Sequence, residues 1–519
     1  MVGPEPGTTR PRLSLAVLSL VLFVTFLDNT IVATALADIQ TSLHTGVSAL
    51  QWIVSAYALT FAALMLTFGT LGDRLGRRAV MMGGLVTFTI GSVVGSIAST
   101  SGTLIAARVI MGVGAAASEP GTLSMIRQLY PDRAERARAL GVWSAVSGLA
   151  LAAGPVIGGT LVGAWSWRAV FVFNVLIGTV ALVGVYVILP EITNRERRRL
   201  DLPGFVLGAA ALIAATFATI AGETAGYATW WIALLFAVAL VTGVAFLVVE
   251  RRAQEPVLDL RFFRERAFLG GNLVAFMGYF AIFAVFFFIP LYLQLIGGAS
   301  PYRVATDFLP MAVAMIVASA LSGRWVATVG PGIPMAAGCA VAGVGILVTN
   351  ALITPHAGIS LFGWSLVLVG AGLGVVMVSV TSSVLGVVPA VRSGMAASAV
   401  NTSRELGAVA GVTVLGSVVN GQLVANLERK LSSIHDLPAA FRGEVIAAVT
   451  TGTIGTSASK LPKTGEIGKI VQDVLAAADA SFTQALDVVL IVAGVLLLVA
   501  AAGSAALVRH GRATASDDF

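Results

Sequence analysis

The stretch GTLGDRLGRR, residues 69–78, separates two long apolar windows of the chain. Its glycines allow a tight turn and close contact between helices at a helix end. They are Gly69, Gly72 and Gly76. Charged side chains that can pair across such a turn lie between and after them. They are Asp73, Arg77 and Arg78. The stretch therefore predicts a tight, charged connection between two helices.

The composition on either side of this stretch is that of a membrane protein. The 519 residues are 57% hydrophobic and only 11% charged, whereas an ordinary soluble domain has roughly 25% charged residues. Such a chain lacks the polar surface to cover a water-soluble body of this size. Its Lys and Arg residues are scattered between apolar segments, which argues against a nucleic-acid partner. We expect the lipid bilayer to be its surroundings.

Fourteen windows are long enough to cross that bilayer, since a spanning helix needs roughly 20 mostly apolar residues. The sequence thus predicts an all-α integral membrane protein with fourteen transmembrane helices. The windows are 13–36, 49–70, 79–99, 103–127, 137–161, 169–189, 203–222, 229–249, 268–296, 303–326, 333–354, 359–388, 394–420 and 483–508.

Basic connections predict the orientation of these windows, because Lys and Arg stay on the cytoplasmic side. Connections after even-numbered windows are basic, as in 72–78, 131–138 and 250–266, and those after odd-numbered windows are nearly free of positive charge, as in 99–102. Both termini, a disordered segment 1–12 and a tail 509–519, are then cytoplasmic. The cell membrane is the expected location.

One predicted external segment is long. Residues 421–482 hold all four Lys of the chain, balanced by acids, and a long loop can be exported regardless of its charge. We interpret it as an external amphipathic hairpin.

Several kinds of chemistry have no support in the sequence. Cys339 is the one cysteine, and the four histidines fall in or near predicted connections or the tail. No HExxH, Cys/His cluster or P-loop pattern is present. We expect no metal, no cofactor and no enzymatic activity.

The motifs resemble those of one transporter family. GTLGDRLGRR is similar to the cytoplasmic loop motif of the major facilitator superfamily, where it acts as a charge latch that favours the outward-facing state. Asp132 or Glu135 is the candidate for a second acid of that latch. The alternative is a basic loop that only sets topology.

A second motif is characteristic of the antiporters within this superfamily. GLALAAGPVIGG, residues 148–159, resembles their fifth-span pattern, in which glycines and a proline give a flat helix surface for close packing. The matching residues are Gly148, Gly154, Pro155, Gly158 and Gly159.

Two further stretches, LDNTIVATAL (27–36) and WSWRAVFVFNVLIG (165–178), are similar to motifs of the fourteen-span drug:proton antiporters. The resemblance implies two six-helix bundles, 13–189 and 268–508, with an inserted pair at 203–249. It also implies a protein, expected to be monomeric, that exports small lipophilic, often cationic compounds in exchange for protons.

Acids inside the windows are the candidates for carrying the proton, because an intramembrane ionisable residue is by default a functional hypothesis. We assign proton coupling to the acids Asp28, Glu119 and Glu405, together with Arg108 and Arg404. The alternatives are a hydrogen-bonded structural Asp28, a structural contact of Glu119 at the kink of Pro120, and an internal ion pair of Glu405 with Arg404. Asp307 lies near an outer helix end, where an ion pair with Arg303 at the membrane surface fits it better.

Arg108, inside the fourth window, lies in LIAARVIMGVGAA (104–116), which resembles another family motif. A buried Arg costs roughly 2.5–3.5 kcal/mol on insertion scales, so it needs a partner. We expect it to tune a nearby proton-carrying acid; a structural ion pair or a snorkelling group is the alternative.

Aromatic and amide side chains are the candidates for lining a substrate cavity, since aromatic rings attract flat cations. They are Asn29, Trp52, Tyr57, Tyr279, Tyr292 and Asn401. Two other functions stay open: dedicated export of one endogenous metabolite, such as an antibiotic, siderophore or lipid, and a membrane-embedded enzyme or receptor.

Overall fold

The structure is a computed structural model that describes residues 11–191, 202–253, 259–354, 359–388, 393–433, 439–450 and 465–508. All the regular secondary structure in these ranges is helical, as the apolar windows predict. The helices are α1 (Pro11–Ile31), α2 (Leu36–Leu43), α3 (Val47–Leu75), α4 (Arg77–Ser96), α5 (Ser101–Ser118), α6 (Pro120–Leu129), α7 (Arg133–Ala164), α8 (Arg168–Ile188), α9 (Leu202–Ala225), α10 (Trp230–Arg252), α11 (Arg266–Leu295), α12 (Pro301–Val329), α13 (Gly332–Leu352), α14 (Ile359–Gly386), α15 (Ser393–Ser433), α16 (Ala439–Thr450) and α17 (Gly465–Val508). Short 3₁₀ turns at Val32–Ala35 and Leu260–Arg264 precede α2 and α11.

Fourteen stretches of these helices are long and apolar enough to cross a membrane, which confirms the predicted number. The first includes α1, the 3₁₀ turn and α2, and reaches Leu43. The fourth joins α5 to α6 across Glu119, where Pro120 begins the second helix. The last two, Ala399–Ser432 and Ile470–Ala505, extend well beyond the predicted windows.

The helices pack as two bundles of six membrane-length segments. The first consists of α1, α3, α4, α5 with α6, α7 and α8, and the second of α11 to α15 and α17. Across the boundary α3 packs on α15 and α7 packs on α12. The inserted helices α9 and α10 pack on each other, and α9 also contacts both α3 and α15. The inserted pair therefore covers a seam at which the two bundles meet.

The segment predicted as a long external loop, 421–482, is helical over most of its described length. Helix α15 continues to Ser433, and α17 already begins at Gly465. A separate apolar cluster of Leu427, Leu431, Val474 and Ala478 joins the two extensions, with side chains of α16 against it. The described part of the segment is thus a hairpin-like pair of helix extensions; residues 434–438 and 451–464 lie outside the described residues.

The connection at 69–78 is a tight one, as its glycines predict. Helix α3 ends at Leu75, and α4 begins at Arg77 after Gly76, whose φ of 102° is accessible mainly to glycine. Arg77 Nη1 donates to the carbonyl oxygen of Ser124 at 3.0 Å, and Arg78 donates to the carbonyl of Tyr186. The side chain of Asp73 lies outside the described residues, so its part in a latch stays a prediction.

Other predictions fall on residues that the structure does not describe. The cytoplasmic tail 509–519 is one, and residues 254–258 of the basic connection 250–266 are others. The N-terminal segment 1–12 is described only at its last two residues, which begin α1.

Candidate proton and substrate site

The first helix places Asp28 in contact with two other helices of its own bundle. Asp28 Oδ2 forms an ion pair with Arg108 Nη1 of α5, and both side chains are fully buried. Asn174 Nδ2 of α8 donates to the second oxygen, Oδ1, at 2.6 Å. Both oxygens of this carboxylate are therefore satisfied by neighbouring helices.

Arg108 is held by further groups of α3. Its Nε donates to the carbonyl oxygen of Ile53 at 2.9 Å, and its guanidinium carbon lies 4.4 Å from the ring centroid of Tyr57. The Tyr57 hydroxyl in turn donates to the carbonyl of Thr25 at 2.9 Å. Because cation–π contacts strengthen when both groups are desolvated, Tyr57 belongs to the charge network as a support for Arg108.

Two amide–carboxylate contacts cross from one bundle to the other. Asn29 Nδ2 of α1 donates to Glu405 Oε1 of α15 at 3.0 Å. Asn401 Nδ2 of α15 donates to Glu119 Oε1, at the junction of α5 and α6, at 2.7 Å. Each bundle thus supplies one acid and one amide, and we call these two contacts the interbundle clasps.

The second oxygens of both clasped acids have no hydrogen bond to the described part of the chain. Glu119 Oε2 and Glu405 Oε2 are buried atoms without such a partner, as is the hydroxyl oxygen of Tyr279. Buried polar atoms are normally satisfied. Three unsatisfied atoms in one network therefore indicate a place for a proton, a water or a ligand.

Arg404 occupies the same region without pairing directly with Glu405. Its guanidinium donates to Asn401 Oδ1 at 3.1 Å and to Thr381 Oγ1 at 2.9 Å, and lies 5.7 Å from the ring centroid of Tyr279. Among the described residues no salt bridge joins it to Glu405, so the ion-pair alternative is not what the structure holds. With Glu119 and Glu405 ionised, this part of the network carries one excess negative charge.

A small apolar cavity adjoins Arg404 and Tyr279 in the second bundle. Its other walls come from α11 and α14, and they include Ile282, Val376 and Met377. Of the predicted cavity-lining aromatics, Tyr279 therefore lies at a cavity, whereas Tyr57 packs on Arg108.

Helix α7 presents glycines to α1 on one side and to α12 on another. A methyl group at Gly158 would lie 2.6 Å from the carbonyl oxygen of Ile31, and one at Gly159 would lie 2.5 Å from that of Pro301. A methyl group at Gly154 would overlap the hydroxyl of Thr30 in α1. Gly148 is less crowded, with Ser319 Oγ 3.4 Å away. The flat surface that the motif predicts is used on both sides.

Two predicted cavity residues lie outside the network. Trp52 packs against Phe217 of α9, with ring centroids 5.5 Å apart. The Tyr292 hydroxyl donates to the carbonyl of Thr354, and its ring packs on Phe362. Both side chains pack on neighbouring parts of the fold. Neither is among the described residues that line the small apolar cavity, so their role in a substrate cavity stays a prediction.

Asp307 has the expected interface geometry. Arg303 Nε lies 3.1 Å from its Oδ1 one turn away on α12, and the Arg303 side chain is 64% exposed. It is thus a peripheral acid that takes no part in the interbundle clasps.

Three polar residues that complete the network were not predicted from the sequence. Asn174 lies within the quoted motif 165–178 but received no role, although an amide in so apolar a window is a visible signal. Thr30 likewise lies within a quoted motif, 27–36, but received no role. Thr381 gave no signal, because Thr is common in membrane helices and usually bonds to its own backbone.

Known proteins with similar sequences are transporters. A family model described as Major Facilitator Superfamily matches residues 18–412. The chain is 31% identical over 494 residues to the multidrug resistance protein Stp of Mycobacterium tuberculosis, covering 94% of this chain and 90% of Stp. It is 30% identical to the multidrug efflux pump LfrA of Mycolicibacterium smegmatis, with 95% of each chain covered. The tetracenomycin C resistance and export protein of Streptomyces glaucescens is 30% identical over 95% of this chain and 91% of its own.

Two solved structures share the fold of this chain. An inward-facing, unoccupied bacterial homologue of the human lysosomal transporter Spinster aligns with a TM-score of 0.66 at 16% identity, covering 97% of this chain and 99% of the other. The human organic anion transporter MFSD10 aligns with a TM-score of 0.58 at 16% identity, covering 94% and 100%. The fourteen membrane-length helices, the two six-helix bundles and these similarities together show that the chain belongs to the Major Facilitator Superfamily.

Proposed function

We propose that this protein exports small lipophilic, cationic compounds in exchange for protons by alternating access. Its relatives named for multidrug resistance and efflux support drug export. The observation that carries the proton part is the pair of interbundle clasps, in which two buried acids each keep one oxygen without a partner among the described residues. The proton gradient then serves as the energy source, and no cofactor takes part.

The clasps suggest how binding and movement are coupled. A charge-assisted hydrogen bond is roughly twice as strong as a neutral one, so the ionised acids hold the bundles together more firmly than protonated ones. A substrate cation and a proton would compete for the same negative charge. Neutralisation of Glu119 or Glu405 weakens a contact that must rearrange when the bundles move apart.

Asp28 has a different position in this proposal. Both its oxygens are engaged within the first bundle, and we propose that it handles a proton together with Arg108. Since one chain holds the whole network, we propose the monomer as the transporting unit. It would lie in the cell membrane with both termini in the cytoplasm.

Ethidium uptake into energised inside-out vesicles tests the proposal. We expect the parent protein to accumulate ethidium uphill and to stop when a protonophore is added. Glu119→Gln and Glu405→Gln keep an acceptor for the clasping amide but cannot ionise, so each should slow uphill transport at least tenfold. Melting temperatures of the purified variants separate this effect from misfolding.

Asp307→Asn is the matched control, because it removes an acid from a membrane helix outside the network, and it should transport at close to the parental rate. Accumulation that survives the protonophore would refute proton coupling. Parental rates in the Glu119→Gln, Glu405→Gln double variant would refute the assignment of these acids.

A specific observation keeps a second function in view. One relative is named for both resistance to and export of tetracenomycin C, so dedicated export of a single endogenous metabolite is the alternative. Competition of ethidium transport by chemically unrelated cations distinguishes the two, since a dedicated exporter should be inhibited by few of them.

A further inference from the structure

Pro155 interrupts the hydrogen bonds of α7 at the level of the Asp28 and Asn29 segment. Proline has no backbone N–H, so it cannot donate to the carbonyl four residues earlier in the helix. In α7 that carbonyl belongs to Leu151, which is fully buried. A buried carbonyl without a donor is costly, so a donor from a neighbouring helix stabilises the carbonyl of Leu151.

The partner is a side chain of α1. Thr30 Oγ1 lies 3.0 Å from the carbonyl oxygen of Leu151. The same hydroxyl lies 3.4 Å from the carbonyl of Leu27 in its own helix. A hydroxyl has one proton to donate, and the shorter distance directs it to Leu151.

We infer that Thr30 is a positioning residue, whose hydroxyl caps the carbonyl left free by Pro155 and thereby fixes α1 on α7. The neighbouring glycine makes this possible, because any side chain at Gly154 would occupy the place of the Thr30 hydroxyl. The glycine and the proline of the motif thus have separate tasks: one makes room for the hydroxyl, and the other supplies its acceptor.

The other prolines inside described helices provide a comparison. Pro290 and Pro310 interrupt α11 and α12 in the same way. In the described part of the chain no side chain donates to the carbonyls of Phe286 and Thr306, which those prolines leave free. The hydroxyl cap is therefore particular to the contact of α1 with α7.

The cap has a consequence for the site, because Thr30 directly follows Asn29. Asn29 must reach Glu405 in the other bundle, and Asp28 must reach Arg108 and Asn174 in its own. A hydroxyl that bonds to α7 sets the rotation of α1 about its axis for all these contacts. This role of the Thr30 hydroxyl does not depend on which ion drives transport.

A set of threonine variants tests the inference. Thr30→Val keeps the shape but removes the donor, and it should lower the melting temperature by several degrees and slow ethidium transport severalfold. Thr30→Ser keeps the donor and should restore both. The matched control is Thr34→Val: Thr34 lies one turn later, in the 3₁₀ turn that follows α1 and also packs on α7. Its hydroxyl donates to the nearby carbonyl of Ile31 and not to α7, so a smaller effect is expected.

A double-mutant cycle with Pro155→Ala isolates the cap. The alanine of this variant restores the N–H for the Leu151 carbonyl, so adding Thr30→Val in that background should change the melting temperature little. Equal effects of Thr30→Val in both backgrounds, or equal effects of Thr30→Val and Thr34→Val, would overturn the inference. If Pro155→Ala does not fold, two comparisons still test the inference. They are Thr30→Val against Thr30→Ser, and Thr30→Val against Thr34→Val. If the parent protein does not transport ethidium, the proposed function fails. The melting temperatures of the variants would still test the role of Thr30.

Discussion

Arg108 and Asp28 are both removed from solvent, and this determines what a single substitution at either one costs. Removal of one partner leaves the other as an uncompensated charge in a low-dielectric interior. The ion pair of Arg303 with Asp307 offers the contrast, because the exposed Arg303 remains solvated whether paired or not. The two Asp–Arg ion pairs are therefore expected to contribute very differently to the stability of the protein.

Arg108→Met should destabilise the protein by about 3–5 kcal/mol, because it strands a buried carboxylate. Asp307→Asn should change stability by no more than about 1 kcal/mol, because the Arg303 side chain that it leaves unpaired is 64% exposed. Thermal or denaturant unfolding of the detergent-purified variants measures both. Similar losses for the two variants would show that Asp28 is compensated by groups other than Arg108.

The contacts of individual side chains were the feature least predictable from the sequence. The acids and Arg108 were recognisable because charges are rare in apolar windows. The Asn174 amide was visible in its apolar window, but its contact with Asp28 was not. Thr381, which accepts a hydrogen bond from Arg404, became recognisable only when other helices were placed around it. A role in proton transfer stays a prediction for Asp28, Glu119 and Glu405.

Among the elements, α7 has the most demanding environment, since it packs on α1 within its own bundle and on α12 of the other. Its two packing surfaces differ in kind. Towards α1 it has the Thr30 hydroxyl bond, whereas towards α12 it has backbone-to-backbone contact at Gly159. A small residue lets two helix backbones approach closely, and such a smooth surface suits helices that move relative to each other.

Gly159→Ala tests the α7–α12 contact. A methyl group there would lie 2.5 Å from the Pro301 carbonyl oxygen and 2.8 Å from the Ala305 methyl group, so the helices have to separate. We expect a loss of about 1–3 kcal/mol in stability, typical of overpacking, and slower ethidium transport. Gly148→Ala on the same helix pair is the control, because its nearest neighbour is 3.4 Å away, and an effect as large as that of Gly159→Ala would contradict this view.

For the whole molecule, the inserted pair and the orientation in the membrane define which surfaces face lipid and water. Helix α9 lies where α3 and α15 meet, while α10 has few buried residues. The insertion therefore extends the lipid-facing surface and covers an interbundle seam without entering the clasp network. The basic connections predict that the α4–α5 connection is outside and the α12–α13 connection inside.

Cysteine labelling of intact cells tests this orientation. The natural Cys339 is buried, so it should remain unlabelled by a membrane-impermeant maleimide. Ser99→Cys, in an exposed position between α4 and α5, should label in intact cells. Thr328→Cys, exposed at the end of α12, should label only after permeabilisation; the opposite pattern would mean the reverse topology.

Local features of the sequence were sufficient to predict the fold class, the number of membrane-length helices and the family. It could do so because backbone groups in hydrocarbon must be satisfied internally, which makes a continuous apolar helix of fixed minimum length the only local solution. Length and hydropathy are local properties, and so are the glycine and proline motifs. The predicted windows at 394–420 and 483–508 were too short, because the polar helix extensions beyond them are stabilised by packing on each other.

Which polar groups meet depends on how helices that are distant in the chain pack together. Asn29 and Glu405 are 376 residues apart in the chain, and Asn401 and Glu119 are 282 apart, so no local pattern can contain either contact. The carbonyl of Leu151 and the hydroxyl of Thr30 are likewise 121 residues apart. Each of these pairs forms because burial leaves a polar atom with no water to bind, and the helix packed against it carries the complementary group.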